Sequence, residues 1–238
     1  MKIIKHLPIL FILTMLAAMA ACKKADDYKK IVSGGEIVYT SKVDSLKIFP
    51  GNRRVQVNWL LLGDPKITKA RIYWNNGQDS LEVKLKRSGG IDTFHLIIDS
   101  LPEGPMVFDV KTFDDNGGFS VPVEAAAQVY GENYINALQN RGLNAWEMEE
   151  DGSAMLHFSG AQEFSLGEEI YYTDASGQPQ MVTAPAAQTD VTLPNYMPYS
   201  LYHFSTLFLP DPLSIDTFRA IADTGFIAGI PPGRVKNK

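Results

Sequence analysis

The sequence predicts an all-β protein: two β-sandwiches in tandem, preceded by an export signal. Three observations lead there. After residue 34, apolar residues recur at every second position in a series of short runs. Clusters of Gly, Pro, Asn and Asp separate the runs. The pattern of the first half then returns in the second. A period of two places alternate side chains on opposite faces of a strand, so each run has a core face and a solvent face. Seven or so short strands in about 95 residues make a sandwich.

In the first half, Val55, Val57, Trp59 and Leu61 alternate with Gln56, Asn58 and Leu60. Ala70, Ile72 and Trp74 follow, then Val83 and Leu85, then Phe94, Leu96 and Ile98, then Phe108, Val110 and Thr112. Between them lie Pro50-Gly51-Asn52, Gly63-Asp64-Pro65, Asn75-Asn76-Gly77, Ser88-Gly89-Gly90, Pro102-Glu103-Gly104 and Asp115-Asn116-Gly117-Gly118. Asn-Gly pairs suit tight hairpins because both residues tolerate positive φ. In the second half, Ala154, Leu156 and Phe158 match Val55, Val57 and Trp59. Ile170-Tyr171-Tyr172 matches Ile72-Tyr73-Trp74, Val191 and Leu193 match the fifth strand, and Tyr202, Phe204 and Thr206 match Phe108, Val110 and Thr112. The expected sandwiches span 34–130 and 142–219. Residues 131–141 read as a helical link, with Tyr134, Ile135 and Leu138 available to pack at the junction. Residues 220–238, rich in Gly and Pro, read as a C-terminal tail.

Residues 1–21 read as a secretory signal. Lys2 and Lys5 lead an apolar run from Leu7 to Ala21, and small residues end at Ala20-Ala21-Cys22. The run is too short to span a bilayer before Lys23 and Lys24. Met19-Ala20-Ala21-Cys22 resembles the lipobox of bacterial lipoproteins. That resemblance implies lipid on Cys22, with 22–33 as tether and the membrane as a partner through the acyl chains. Lys23-Lys24-Ala25-Asp26-Asp27 resembles a surface-export signal, so an outer-membrane, surface-exposed location is expected; a plain solvated tether is the alternative. Cys22 is the only cysteine, so no intramolecular disulfide supports the fold.

The net charge is −5 for the full chain and about −7 once Lys2 and Lys5 are removed. An acidic chain without a basic run argues against nucleic acid as a partner.

The strand order resembles a fibronectin type III domain. Trp59 lies on the second strand, Leu101-Pro102-Glu103-Gly104 precedes the sixth, and Phe108 stands where that family usually has tyrosine. Longer motifs resemble an uncharacterised Bacteroidota lipoprotein family, a domain of unknown function. They are Gly34-Gly35-Glu36-Ile37-Val38-Tyr39, Gly63-Asp64-Pro65, Arg71-Ile72-Tyr73-Trp74-Asn75-Asn76 with Asp79-Ser80, Tyr130-Gly131-Glu132-Asn133-Tyr134, and Leu209-Pro210-Asp211-Pro212 with Ile215-Asp216-Thr217-Phe218. The resemblance carries no activity over to this chain. It implies an accessory of polysaccharide uptake beside an outer-membrane transporter complex, which is an association and not a mechanism.

The residues carry no recognisable catalytic set, metal site or cofactor motif. His6 leaves with the signal; His157 and His203 point away from the core by alternation; no histidine pair has ligand spacing. Asp114-Asp115-Asn116-Gly117-Gly118 reads as a polar hairpin turn in preference to a calcium loop. One constellation stands out. On the third strand of each repeat the outward residue is an aromatic, Tyr73 or Tyr171. On the adjacent sixth strand the outward neighbours are Asp109 and Lys111, or His203 and Ser205. An aromatic plate beside polar groups suits a sugar; cover for sheet or domain junction is the alternative. Tyr196 and Tyr199, in the Asn195–Tyr199 loop, form a second exposed-aromatic candidate. The expectation is a non-catalytic envelope lipoprotein that binds glycan or assists its uptake. The alternative is a spacer or adaptor that contacts another envelope protein. An enzyme would need carboxylates converging about 5 to 9 Å apart, and nothing in the sequence points to them.

Overall fold

The computed structural model describes residues 39–229. The expected signal (1–21), Cys22, the expected tether (22–33) and all of the Gly34–Tyr39 motif except Tyr39 lie outside the described residues, as do 230–238.

The first sandwich contains β1 (Asp44–Pro50), β2 (Val55–Leu61), β3 (Ile67–Trp74), β4 (Asp79–Lys84), β5 (Asp92–Ile98), β6 (Gly104–Asp114) and β7 (Val123–Val129). One sheet runs β1-β2-β5 and the other β4-β3-β6-β7, with all pairs antiparallel. This is the fibronectin type III arrangement. The alternation decides it: Val55, Val57, Trp59 and Leu61 from one sheet meet Ala70, Ile72, Phe108 and Val110 from the other in a single core. Trp59 stacks on Phe94 with ring centres 5.5 Å apart. Asn75, Asn76 and Gly77 all have positive φ and turn β3 into β4.

A short helix, α1 (Glu132–Ala137), leads into the second sandwich: β8 (Leu143–Met148), β9 (Ala154–Phe158), β10 (Ser165–Thr173), β11 (Pro179–Pro185), β12 (Asp190–Leu193), β13 (Leu201–Phe208), β14 (Phe218–Arg219) and β15 (Asp223–Phe226). Its sheets run β12-β9-β8 and β11-β10-β13, with β14 and β15 both pairing along β13. The final strand position is thus split in two. This corrects the expected tail from Ala220: β15 completes the second sheet, and Ile227 is fully buried in its core. Pattern alone hid this strand because only Phe226 in it is apolar and Gly225 lies against Tyr202.

The two sandwiches meet at a dense junction. Arg54 clasps Asp216 through Nε and Nη2 at 2.9 and 2.5 Å, and the Asn52 amide donates to the same carboxylate at 2.8 Å. The Ile215 amide donates to the Pro50 carbonyl at 2.8 Å. A side chain at position 51 would meet Asp216 at 2.4 Å, so the close approach requires Gly51. Beside this clasp, Tyr130, Tyr134 and Phe218 form an aromatic trio with ring centres 4.8 to 5.5 Å apart. Glu103 accepts from the Asn133 and Tyr134 amides at the start of α1. Among the described residues, no helix is long and apolar enough to cross a membrane.

The second core contains an ion pair. Arg141 and Glu168 are each 1% exposed. Arg141 Nη1 donates to Glu168 Oε2 at 3.0 Å and to the Gln188 carbonyl at 2.9 Å, while Nε donates to Ser159 O at 2.6 Å. Arg141 Nη2 and Glu168 Oε1 find no partner. Desolvation pushes the Glu168 carboxyl above its ordinary range, against the opposing pull of Arg141. Removing one partner strands a buried charge, whereas removing both does not. Arg141→Met is therefore expected to cost about 3 to 5 kcal/mol in urea unfolding, and Arg141→Met with Glu168→Leu to recover most of it.

Candidate functional site

The sheets β4-β3-β6-β7 and β11-β10-β13 each turn one face away from the core, and these faces hold the aromatic plates expected from sequence. On the first, Tyr73 lies opposite Asp109 on β6 and Ser80 on β4. One pair along, Arg71 lies opposite Lys111 and Glu82. The structure therefore brings Tyr73, Asp109 and Lys111 together. The plate, however, is not bare. The Arg71 guanidinium carbon is 6.0 Å from the Tyr73 ring centre and the Lys111 ammonium 5.7 Å, leaving the ring half-buried.

The second face differs. Tyr171 lies opposite His203 on β13 and Met181 on β11, and His203 lies opposite Thr224 on β15. His203 Nδ1 is 2.7 Å from Thr224 Oγ1. The Tyr171 hydroxyl donates to Glu169 at 3.0 Å, and Arg219 bonds the same carboxylate at 2.5 Å. Tyr171 is 39% exposed. One pair along, Leu201 lies opposite Phe226, and both are exposed. This face is an aromatic and apolar surface with a polar edge. Ser205, expected outward beside His203, is buried instead.

The Asn195–Tyr199 loop divides. Tyr196 is 1% exposed, which corrects its expected place on the surface. Its ring packs near Tyr172, and its hydroxyl donates to the Ser200 carbonyl and accepts from the Ile227 amide. It closes the end of the second core. Tyr199 stays exposed, with its amide donating to Ile227 at 2.8 Å.

The Asp114 loop is built as a turn: its carboxylate accepts from the Asn116 and Gly118 amides at 2.9 and 2.7 Å. Asp174 repeats the device with Gln178 and Ser176, and hydrogen bonds from Gln178, Gln180 and Ser176 hold its carboxyl below the ordinary range. Among the described residues, no group of three or more His, Cys, Asp or Glu could hold a metal ion. Two hollows accompany the faces. One of about 350 Å³ is lined by Trp74, Asn75, Asp79 and Met106; another of about 420 Å³ lies between Trp146 and Phe226.

Several residues that shape these faces escaped the sequence reading: Lys69, Arg71, Lys84 and Phe113 on the first, and Met181 and Phe226 on the second. The alternation that singled out Tyr73 and Tyr171 also points most of them outward, and it was the signal available.

A family model described as a domain of unknown function, DUF4998, matches residues 22–218. The chain belongs to the DUF4998 family. The match runs through the junction to Phe218 and stops before β15. No curated protein matches this DUF4998 chain. Among solved structures, it is similar to a segment of two fibronectin type III domains from chicken tenascin, at 12% identity and a TM-score of 0.32, covering 79% of this chain and 100% of that one. It is also similar to the FN1–FN3 domains of chicken CNTN1, at 14% identity and a TM-score of 0.40, covering 81% and 66%.

On the β12-β9-β8 sheet of this DUF4998 chain, His157 sits between Asp190 at 2.7 Å and Glu147 at 3.2 Å. Asp190, then Glu147, favour the charged ring and raise its pKa above the ordinary 6.5. The pairing is complete below pH 6.5 and is lost as pH rises through the higher folded value. In an NMR titration, His157 is expected to titrate above 6.5 and to fall back toward it in Asp190→Asn; a parent value at or below 6.5 contradicts the pairing.

Proposed function

We propose that this chain is a non-catalytic, lipid-anchored binding module of a Bacteroidota cell envelope, and that it holds a glycan as an accessory of polysaccharide uptake. The observation that carries the reading is the outward face of the second sandwich. Tyr171 offers an exposed ring, and His203, Thr224 and Glu169 place donors and acceptors at its edge. Sugar C–H faces stack on such rings, while sugar hydroxyls take the neighbouring hydrogen bonds. The surface is open, which fits an extended chain better than a small enclosed ligand. Lipid on Cys22 would hold this face at the outer membrane, and the acidic stretch after it supports exposure at the cell surface.

A second reading, an adaptor that contacts another envelope protein, draws on a different observation. Leu201 and Phe226 form an exposed apolar pair continuous with the hollow beside Trp146. Such a patch suits a protein partner.

The test uses the mature chain with Cys22→Ser, titrated against a panel of oligosaccharides. Binding of at least one glycan, weakened about five-fold or more by Tyr171→Ala, is expected, since an aromatic contact is worth about 1 kcal/mol. Absence of any glycan binding, with a stoichiometric protein captured from membranes, contradicts the glycan reading and favours the adaptor. In cells, Cys22→Ser is expected to move the protein out of the membrane fraction; retention there contradicts the anchor.

A further inference from the structure

The outward face of the first sandwich has a charge pattern that folding alone does not favour. Lys69 on β3 lies directly opposite Lys84 on β4, and Arg71 on β3 lies directly opposite Lys111 on β6. Like charges in directly opposed positions destabilise a sheet. Two such pairs sit side by side, and Glu82 is the one carboxylate set among them. It bonds Arg71 and lies 3.5 Å from Lys69. Asp109 and Glu124 sit together beside Tyr73, toward the other end of the face. The face is thus polarised, basic at one end and acidic at the other, on a chain whose net charge is −5.

The cations are also held in place. Lys69 and Arg71 lie 6.0 and 5.5 Å from the centre of the Phe113 ring, and Arg71 and Lys111 lie 6.0 and 5.7 Å from that of Tyr73. Two rings therefore order the three cations and leave Lys84 exposed at the edge. A preorganised cationic strip costs less side-chain entropy on binding than free lysines would. An anion laid across it also relieves the repulsion between the opposed pairs.

We propose that this strip, formed by Lys69, Arg71, Lys84 and Lys111 over Phe113 and Tyr73, binds an acidic glycan, one bearing carboxylate or sulfate groups. The inference rests on the glycan reading above and names the chemical class of the ligand. Carboxylates and sulfates pair with the cations, and the sugar ring meets the exposed edges of the aromatics. The acidic end at Asp109 and Glu124 sets the limit of the strip and disfavours a long, uniformly charged polymer such as nucleic acid.

The test titrates the mature chain, again with Cys22→Ser, against oligogalacturonate and a heparin-derived oligosaccharide. A neutral oligosaccharide panel, a single-stranded oligonucleotide and phosphatidylglycerol vesicles run in parallel. Binding of at least one acidic glycan is expected, weakening about ten-fold or more between about 0.05 and 0.5 M salt, because screening shortens the reach of exposed charge. Lys84→Ala with Lys111→Ala is expected to reduce that binding about ten-fold or more while leaving the melting temperature unchanged or higher, since repulsion is removed. Lys84→Arg with Lys111→Arg is expected to retain binding. Unchanged affinity in the double alanine variant overturns the proposal. So does tighter binding to the oligonucleotide or the vesicles than to either acidic glycan. Binding of neutral glycans alone, lost in Tyr171→Ala, overturns this inference and leaves the glycan reading standing; failure of every glycan overturns both.

Discussion

Everything this molecule presents to its surroundings depends on the clasp between Arg54 and Asp216. The carboxylate takes both nitrogens of the guanidinium fork and the Asn52 amide, so a side chain from the second sandwich is bonded to a turn of the first. Arg54 and the Asn52 amide hold Asp216 below the ordinary carboxylate range. The backbone bond from Ile215 to Pro50 and the aromatic trio of Tyr130, Tyr134 and Phe218 surround it. The link 130–142, with its one short helix, would otherwise leave the two sandwiches free to swing. Here the chain returns from the end of the second sandwich to seal the joint, before β14 and β15 complete the second sheet.

That joint gives meaning to the difference between the two outward faces. Both sheets have the same strand order and the same tyrosine position, yet they do opposite things with it. On the first, cations lie against Tyr73 and Phe113, and the surface is charged. On the second, Tyr171 is open beside Met181, Leu201 and Phe226, and the surface is apolar with a polar edge. Two unlike surfaces on one fixed frame fit an elongated ligand whose segments differ, or a ligand and a partner held together. Either use needs no catalytic centre, only a constant separation.

The sandwiches were legible because each strand buries one face. Val55, Val57, Trp59 and Leu61, and later Ala154, Leu156 and Phe158, could only be read with a period of two, and all are buried. The pairing of Tyr73 with Asp109 and of Tyr171 with His203 followed from the same alternation plus the neighbour relation of third and sixth strands. What escaped was set by contacts far apart in sequence. The cationic strip combines β3, β4 and β6, so no linear basic run announces it. Tyr196 reads as exposed because the Asn195–Tyr199 loop carries Asn and Pro, whereas its ring is buried in the second core. The last strand reads as a tail in sequence because Asp223-Thr224-Gly225 carries no apolar alternation; pairing with β13 alone defines it. Arg141 and Glu168 gave no sign of burial, since charged residues in a sequence read as solvated by default.

A fixed presentation of both faces requires the two sandwiches to move as one body. Residual dipolar couplings of backbone amides in both sandwiches test this directly. A fixed joint predicts that one alignment tensor fits both sandwiches, and that Asp216→Ala separates them into two tensors of different magnitude. Two distinct tensors in the parent chain would show the sandwiches swinging independently, and would contradict the fixed presentation of the two faces.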